Sequence, residues 1–355
     1  MTTLRDISRH LGLSVTQVSR ALNGHSDVSA DTRVRVTEAA KALKYQPNLT
    51  ARKLVMGKSG IVGLVLPAVP AAPQDSLFVQ IVGGLSRHFS HRQMQFVLHI
   101  AAPGDDIIEV YRKLINSGSL DGFVLLEPTQ DDPRVAYLRE RKVPFVLHGR
   151  TESSPNYPYF DIDNDGVGYD LTRYLTDRGH RRIAFLNGRA GRSYAESRLI
   201  GYARALAEVG VVYDPALYLC DEMSEGAGLL GTVQLWSGNR LRPTAIICGS
   251  TLIAKGVFQS LAALGLSVPG DVSVVAHDDE LPGVRVAAFP VPLTVTWSPL
   301  ERSWKPLAEI LANAVDGHPM EELQQLGKIT LIERDSVAML QPEGNAESLK
   351  DGLTQ

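Results

Sequence analysis

Two groups of side chains in this sequence have types and spacings that could do chemistry. The first lies near the start. Ser14, Thr16, Gln17, Ser19, Arg20 and Asn23 fall on one face of a predicted helix, with Val15, Val18 and Leu22 on the other. Hydroxyls, amides and a single guanidinium on an exposed helix face suit base edges in a major groove and the phosphates beside them. An ordinary helical cap with a solvated polar face would read the same way. The second group is far along the chain. Asp278 follows the apolar run 272–276, at the carboxyl end of a predicted strand, where open α/β sheets bind ligands. Arg198 opens a helix after the variable stretch 187–197. A carboxylate and a forked guanidinium can grip hydroxyl pairs bidentately, and the same two residues would also serve as a structural ion pair.

Charge supports the split. The first 58 residues carry ten Lys and Arg against four Asp and Glu; the remaining 297 carry 26 against 35. A basic head on an acidic body is the electrostatic footprint of a polyanion-binding module joined to a globular domain. Catalytic readings find little support. Gly226-Ala-Gly228 lacks the strand-to-helix setting and the distal acid of a dinucleotide site. Asp161, Asp163 and Asp165 alternate like a calcium loop, but the required Gly and distal Glu do not follow. No nucleophile motif appears, and no cofactor, metal site or enzymatic activity is expected. No apolar run approaches the roughly 18 residues of a membrane span. No secretory leader is visible, and Cys220 and Cys248 are too few for a disulfide framework. These features point to a soluble cytoplasmic protein.

The elements that must hold these residues follow from periodicity. Leu4, Ile7 and Leu11 form one helical stripe, ended by Gly12. Ser14 caps a second helix to about Asn23, and Ser29 or Asp31 caps a third through Lys44, packed by Val34, Ala39, Ala40 and Leu43. Pro47 stops it. From Ile61 the texture becomes βα alternation, with apolar strands near 61–66, 95–100, 122–126, 145–148, 182–186, 217–220, 245–248 and 272–276 between amphipathic helices. The expected architecture is a small all-α helix-turn-helix head plus an α/β body of two doubly wound parallel-sheet lobes. The head takes 1–47, a hinge or linker 48–59, and the body 60–340. The first lobe would hold about 60–161 and 294–328, and the second 162–293 and 329–340. The polar tail 341–355 has no heptad repeat and is expected to be disordered.

The segments Ser19-Arg20-Ala-Leu-Asn-Gly24, Val28-Ser-Ala-Asp-Thr-Arg33, Leu43-Lys-Tyr-Gln-Pro-Asn48, Ala51-Arg-Lys-Leu54, Gly179-His-Arg-Arg-Ile183, Arg198-Leu-Ile-Gly-Tyr202 and His277-Asp-Asp279 together resemble the LacI/GalR family of bacterial transcriptional regulators. The resemblance runs to about Leu340. It implies a periplasmic-binding-protein-like body, a dimer on pseudo-palindromic double-stranded operator DNA, and a small sugar-like effector between the lobes. Operator contacts are implied at Leu4, Ser14, Val15, Thr16, Gln17, Ser19, Arg20, Asn23, Ser29, Thr32, Tyr45, Asn48, Ala51, Arg52 and Leu54. Segment 48–56 is similar to a hinge helix that orders on DNA, with Leu54 wedged into a minor-groove step.

Effector contacts are implied at Arg198, Asp278, Phe78, Arg192 and Tyr194, with His148, Gly149, Arg150, Asp163 and Asn164 near the cleft. Where many relatives have Asn-Asp, this chain has Gly249-Ser250. Trp297 stands where they carry a polar residue. Both changes bear on ligand choice, so Ser250 and Trp297 join the candidate set. The implied role is a repressor of carbohydrate uptake or catabolism. A solute sensor without operator binding, and a corepressor-dependent regulator of another metabolite class, remain the alternatives. The dimer face is expected around Phe78–Phe89, Tyr111–Ile115 and 300–316.

Overall fold

The computed structural model describes residues 2–22, 24, 27–45, 58–67, 76–151, 155–237 and 241–340. Asn23, Asn48, Ala51, Arg52, Leu54 and the tail 341–355 fall outside the described residues. The chain divides into two compact units between Ser59 and Gly60.

The first unit contains three helices among its described residues: α1 (Leu4–Leu11), α2 (Val15–Leu22) and α3 (Ala30–Ala42). Each start is fixed by a side chain that accepts from an otherwise orphaned backbone N–H. At α1, the Thr3 N–H donates to Asp6 Oδ2 at 2.8 Å, one half of a reciprocal capping box. At α2, the Gln17 N–H donates to Ser14 Oγ while the Ser14 N–H donates to Gln17 Oε1, both at 3.1 Å. At α3, Ser29 Oγ accepts from the Thr32 N–H at 3.2 Å. Gly12 ends α1 at φ +67°, a left-handed conformation that a Cβ would strain. Ile7, Val18, Ala21, Val28, Val36, Ala39 and Ala40 form the core. Two positions differ from the periodicity reading. Val34 is 56% exposed, its inward place taken by Val36, and Val15 is 39% exposed at the first turn of α2.

The second unit holds two six-stranded sheets. The first contains β1 (Ile61–Leu66), β2 (Gln95–Ile100), β3 (Gly122–Leu125), β4 (Phe145–His148), β5 (Tyr159–Ile162) and β11 (Gln324–Gly327), ordered β11-β5-β4-β3-β1-β2 and parallel throughout. The second contains β6 (Ile183–Asn187), β7 (Tyr218–Cys220), β8 (Ala245–Cys248), β9 (Ser273–Asp278), β10 (Thr294–Trp297) and β12 (Thr330–Ile332), ordered β12-β10-β9-β8-β6-β7. β12 is antiparallel to β10, so this sheet is mixed at one edge. The sequence places the segment from Thr294, which forms β10, in the first lobe. It pairs in parallel with β9 instead, so the chain leaves the second lobe after Trp297 rather than before Thr294.

Helices cover both faces of each sheet, as buried parallel strands require. On the first sheet, α4 (Ser76–His91) and α11 (Trp304–Asp316) cover one face; α5 (Ile107–Asn116) and α6 (Pro133–Glu140) cover the other. Tyr111, placed on the expected dimer face, is fully buried and packs edge-on to Phe123 with centroids 4.9 Å apart. On the second sheet, α7 (Asn164–Asp177) and α8 (Ser193–Glu208) cover one face; α9 (Glu225–Trp236) and α10 (Thr251–Ala263) cover the other. α7 and α8 touch backbone to backbone. A Cβ on Gly168 would lie 2.0 Å from the Arg198 carbonyl oxygen, and one on Gly201 would lie 2.0 Å from that of Asp165. This contact fixes the second and third turns of α8, and Arg198 with them. Among the described residues, no helix is long and apolar enough to cross a membrane.

Candidate functional site

In the first unit, α2 presents Val15, Thr16, Gln17 and Arg20 outward while Val18 and Ala21 hold it to the core. Gln17 is half engaged. Its Oε1 accepts from both the N–H and the hydroxyl of Ser14, leaving the amide NH2 as its outward donor. Arg20 is paired with Asp27 at 2.8 Å, each about half exposed. Ser19, Thr32, Leu4 and Tyr45 are partly exposed, while Ser14 and Ser29 are exposed caps. This is a polar, accessible helix face with one guanidinium.

In the second unit, the functional candidates gather where the carboxyl ends of β4, β5, β6, β8 and β9 converge. Arg198 is the hub and is only 4% exposed. Its Nε donates to Asn164 Oδ1 at 2.9 Å and its Nη1 to the Gly249 carbonyl at 2.7 Å. The Tyr194 ring centroid lies 5.3 Å from its guanidinium carbon. Burial pushes the Arg198 pKa below its ordinary value, against the opposing charges of Asp279 and Asp161.

Asp279, rather than Asp278, is the carboxylate that faces Arg198. Strand parity decides this. Val275 belongs to the cluster under α7 and α8, and Ala276 to the one under α9 and α10. Positions 277 and 279 continue the first face, toward Arg198, and 278 the second. Asp279 Oδ1 lies 2.6 Å from His277 Nε2, and His277 Nδ1 lies 3.0 Å from the Thr296 hydroxyl. Burial opposes ionisation of Asp279, but His277, Arg198 and His148 outweigh it and hold the carboxyl below the usual range. Asp278 instead caps a turn, accepting the Glu280 N–H at 3.0 Å, and lines a separate hollow of about 520 Å³ with Trp297 and Arg334.

From the first lobe, Asp161 reaches the same network. Its Oδ2 accepts from Arg150 Nε at 2.9 Å and its Oδ1 from Asn164 Nδ2 at 3.0 Å. His148 stacks on Phe160 and touches the Ser303 hydroxyl at 3.2 Å; burial pushes its imidazole down to about 4, with Asp279 only partly opposing. Phe78 lines a largely apolar cavity of about 460 Å³ with Leu66, Ile81, Leu126, Pro133 and Arg192.

The remaining candidates sit in structural roles. Arg192 ties the lobes together: its Nη1 donates to the Glu127 carbonyl at 2.5 Å and its Nη2 lies 3.3 Å from the Glu127 carboxylate. The Ser193 N–H donates to the Pro128 carbonyl beside it, at 3.1 Å. Asp163 caps α7 through the Gly166 N–H at 3.0 Å. Ser250 is fully buried and caps α10, accepting from the Ile253 N–H at 3.3 Å. Trp297 donates to Glu280 at 2.8 Å under the Arg302 guanidinium. Asp161, Asp279 and His277 were not singled out as ligand groups from sequence. The Asp doublet was visible, but which member faces Arg198 depends on pairing register. Among the described residues, no His, Cys, Asp and Glu cluster could hold a metal ion.

Residues 3–48 match the family described as bacterial regulatory proteins, lacI family, and residues 172–337 match the periplasmic binding protein-like domain. The chain is 37% identical over 334 residues to the HTH-type transcriptional regulator AglR of Rhizobium meliloti (strain 1021), covering 94% of this chain and 93% of that protein. The solved CelR–cellobiose complex is similar in structure, with TM-score 0.67 and 30% identity over 95% of this chain and all of that one. The Lac repressor dimer bound to operator and the anti-inducer ONPF shares the fold at TM-score 0.71 and 22% identity, over 95% of this chain and 99% of that one. The chain therefore belongs to the LacI family of bacterial regulatory proteins, as a helix-turn-helix transcriptional regulator.

Proposed function

We propose that this protein is a cytoplasmic, non-enzymatic repressor of carbohydrate uptake or catabolism genes. It binds a pseudo-palindromic operator as a homodimer through α2 and responds to a sugar held between its lobes. The observation that carries the DNA half is the outward set Val15, Thr16, Gln17 and Arg20 on a helix pinned by Val18 and Ala21. Such a face can place an apolar group on a thymine methyl and donors on base edges. For the sugar half, the support is the Arg198 network at the carboxyl ends of the strands, together with a 30%-identical neighbour solved with cellobiose. One reader helix covers one half-site, so a two-fold dimer reads both halves of a palindrome.

Regulation follows from linkage. If a sugar binds one arrangement of the lobes better, it shifts the population toward that arrangement and changes operator affinity. The coupling is reciprocal, so operator DNA must weaken an inducing sugar's affinity by the same factor. The test is fluorescence anisotropy with operator candidates across a salt series, with and without a saccharide panel. Log affinity should fall with log salt at roughly −0.9 per phosphate neutralised, and at least one saccharide should shift the curve. Affinity independent of both sequence and salt would leave a solute sensor as the better reading.

A further inference from the structure

Asn187, the last residue of β6, stands beside the Arg198 site. Ile183 and Phe185 of β6 belong to the cluster under α7 and α8, so position 187 projects to that same face. Its Nδ2 donates to the Ala195 carbonyl on α8 and to the Tyr218 hydroxyl on β7, each at 3.0 Å. The Tyr218 hydroxyl in turn donates to the Ala195 carbonyl at 3.4 Å. Turning the amide over would set two carbonyl oxygens against each other, so these partners fix Oδ1 on the opposite side. There Oδ1 is buried and has no hydrogen-bond partner among the described residues; the side chain belongs to a residue only 1% exposed. Next to Oδ1 lies Gly249, whose carbonyl receives Arg198 Nη1 at 2.7 Å. A Cβ at position 249 would lie 3.0 Å from Oδ1 and 3.2 Å from the Met223 methyl, so glycine keeps this side of the amide uncrowded. Met223 is part-buried, and its unbranched side chain can turn aside for a ligand.

From this arrangement we propose that Asn187 is a further ligand-binding residue of the cleft, its Oδ1 accepting the proton of one sugar hydroxyl beside Arg198. The inference rests on the sugar-binding reading above and adds a named contact to it. The two groups are complementary in kind: a guanidinium can only donate, whereas the Asn187 oxygen can only accept. One hydroxyl, or two on neighbouring carbons, satisfies both, because each O–H accepts and donates. A fluorine in place of that hydroxyl is of similar size but has no proton to give. A buried acceptor gains more from its partner than an exposed one, since no water competes for it. The contact therefore selects for a hydroxyl at one ring position.

The test uses the full-length protein and calorimetry with cellobiose, maltose and trehalose, then with each monodeoxyfluoro analogue of the tightest binder. In wild type, fluorine at one or more positions should weaken binding by about tenfold, the worth of one hydrogen bond to a buried group. Gly249→Ala crowds Oδ1 with a methyl while leaving in place the carbonyl that holds Arg198 and both donors of Asn187. It should weaken the parent sugar by about tenfold and erase the penalty at one position, with the penalties elsewhere kept. Asn187→Ala should do the same at a cost in stability, because it also removes the donors to Ala195 and Tyr218. Loss of packing alone would weaken the parent sugar and every analogue alike, and leave each penalty unchanged. That result in a folded Gly249→Ala variant, or a wild type that binds every analogue as tightly as the parent, overturns the inference and leaves sugar binding standing. Binding of none of the three sugars by protein that still recognises operator overturns the sugar reading, and the inference with it.

Discussion

The reader helix of the head and the cleft of the body both display polar side chains, yet they keep them in opposite states. On α2, Thr16, Gln17 and Arg20 face water, and what they do there is set by neighbours a few residues away: Gln17 by Ser14, Arg20 by Asp27. In the cleft, Arg198, Asp161 and Asn164 are nearly inaccessible, and the partners of Arg198 lie tens of residues distant, at Asn164 and Gly249. Exposed groups with local partners are cheap to hold, lightly coupled to stability and free to be taken over by a ligand. Buried groups in a shared network are expensive to disturb and couple ligand, lobe arrangement and stability together. A regulator benefits from this division. Changing the operator face should alter recognition without unfolding the protein, whereas changing the cleft should alter both response and stability.

The largest expected effect tests the buried side. Arg198→Ala strands the buried Asn164 Oδ1 and the Gly249 carbonyl, and each buried acceptor left unsatisfied costs about 1–3 kcal/mol. Urea denaturation should show that loss in the body, operator binding should persist at low temperature, and saccharide response should vanish. A loss under about 1 kcal/mol would mean that the network is not tightly coupled. On the exposed side, Gln17→Ala should weaken operator binding by about 1–3 kcal/mol, the usual worth of one side chain's base contact. Gln17→Glu keeps the reciprocal cap with Ser14 and adds negative charge. It should preserve the melting of the head yet lose as much affinity; wild-type affinity in this variant would reduce Gln17 to a cap.

A pH titration separates the regions further. The His148 imidazole is depressed to about 4 by burial, below the roughly 6.5 of an unfolded chain. Between those values the unfolded state binds more protons, so stability should fall as pH drops from about 6.5 toward 4. His148→Gln should flatten that slope in the body without altering the acid response of the head. The smallest effect belongs to Asp27→Ala. An exposed pair is worth about 0.2–1 kcal/mol, so stability should barely change. The released Arg20 should steepen the salt dependence of operator binding by about one phosphate contact. An unchanged slope would show that Arg20 does not meet the backbone of the duplex.

Much of this arrangement was legible in the sequence because it is local or periodic. Leu4, Ile7 and Leu11 announce α1, and Ser14 and Ser29 announce the starts of α2 and α3, since a helical repeat and a cap involve residues within a turn of one another. The buried strands β1, β3, β6 and β8 read as continuous apolar runs because both their faces are covered. Val36 rather than Val34 lies inward in α3 because it stands three and four residues before the buried Ala39 and Ala40, whereas Val34 falls on the opposite face. Ser250 and Trp297 stood out as departures from a family pattern, but the sequence did not say that one caps a helix and the other lies under Arg302.

By itself, then, the order of residues determined a basic helical head, an α/β body with paired lobes, and Arg198 as a residue to watch. Only the tertiary structure decided which carboxylates meet that arginine. His277-Asp278-Asp279 offers two equivalent carboxylates in the chain, and the parallel register of β9 against β8 and β10 sends alternate side chains to opposite faces of the sheet. Asp161 joins the same arginine through Asn164 because β5 ends where the chain crosses between lobes. Side-chain type is written residue by residue, but the partner of a buried charge is chosen by strand pairing and helix packing, which join positions far apart in the chain.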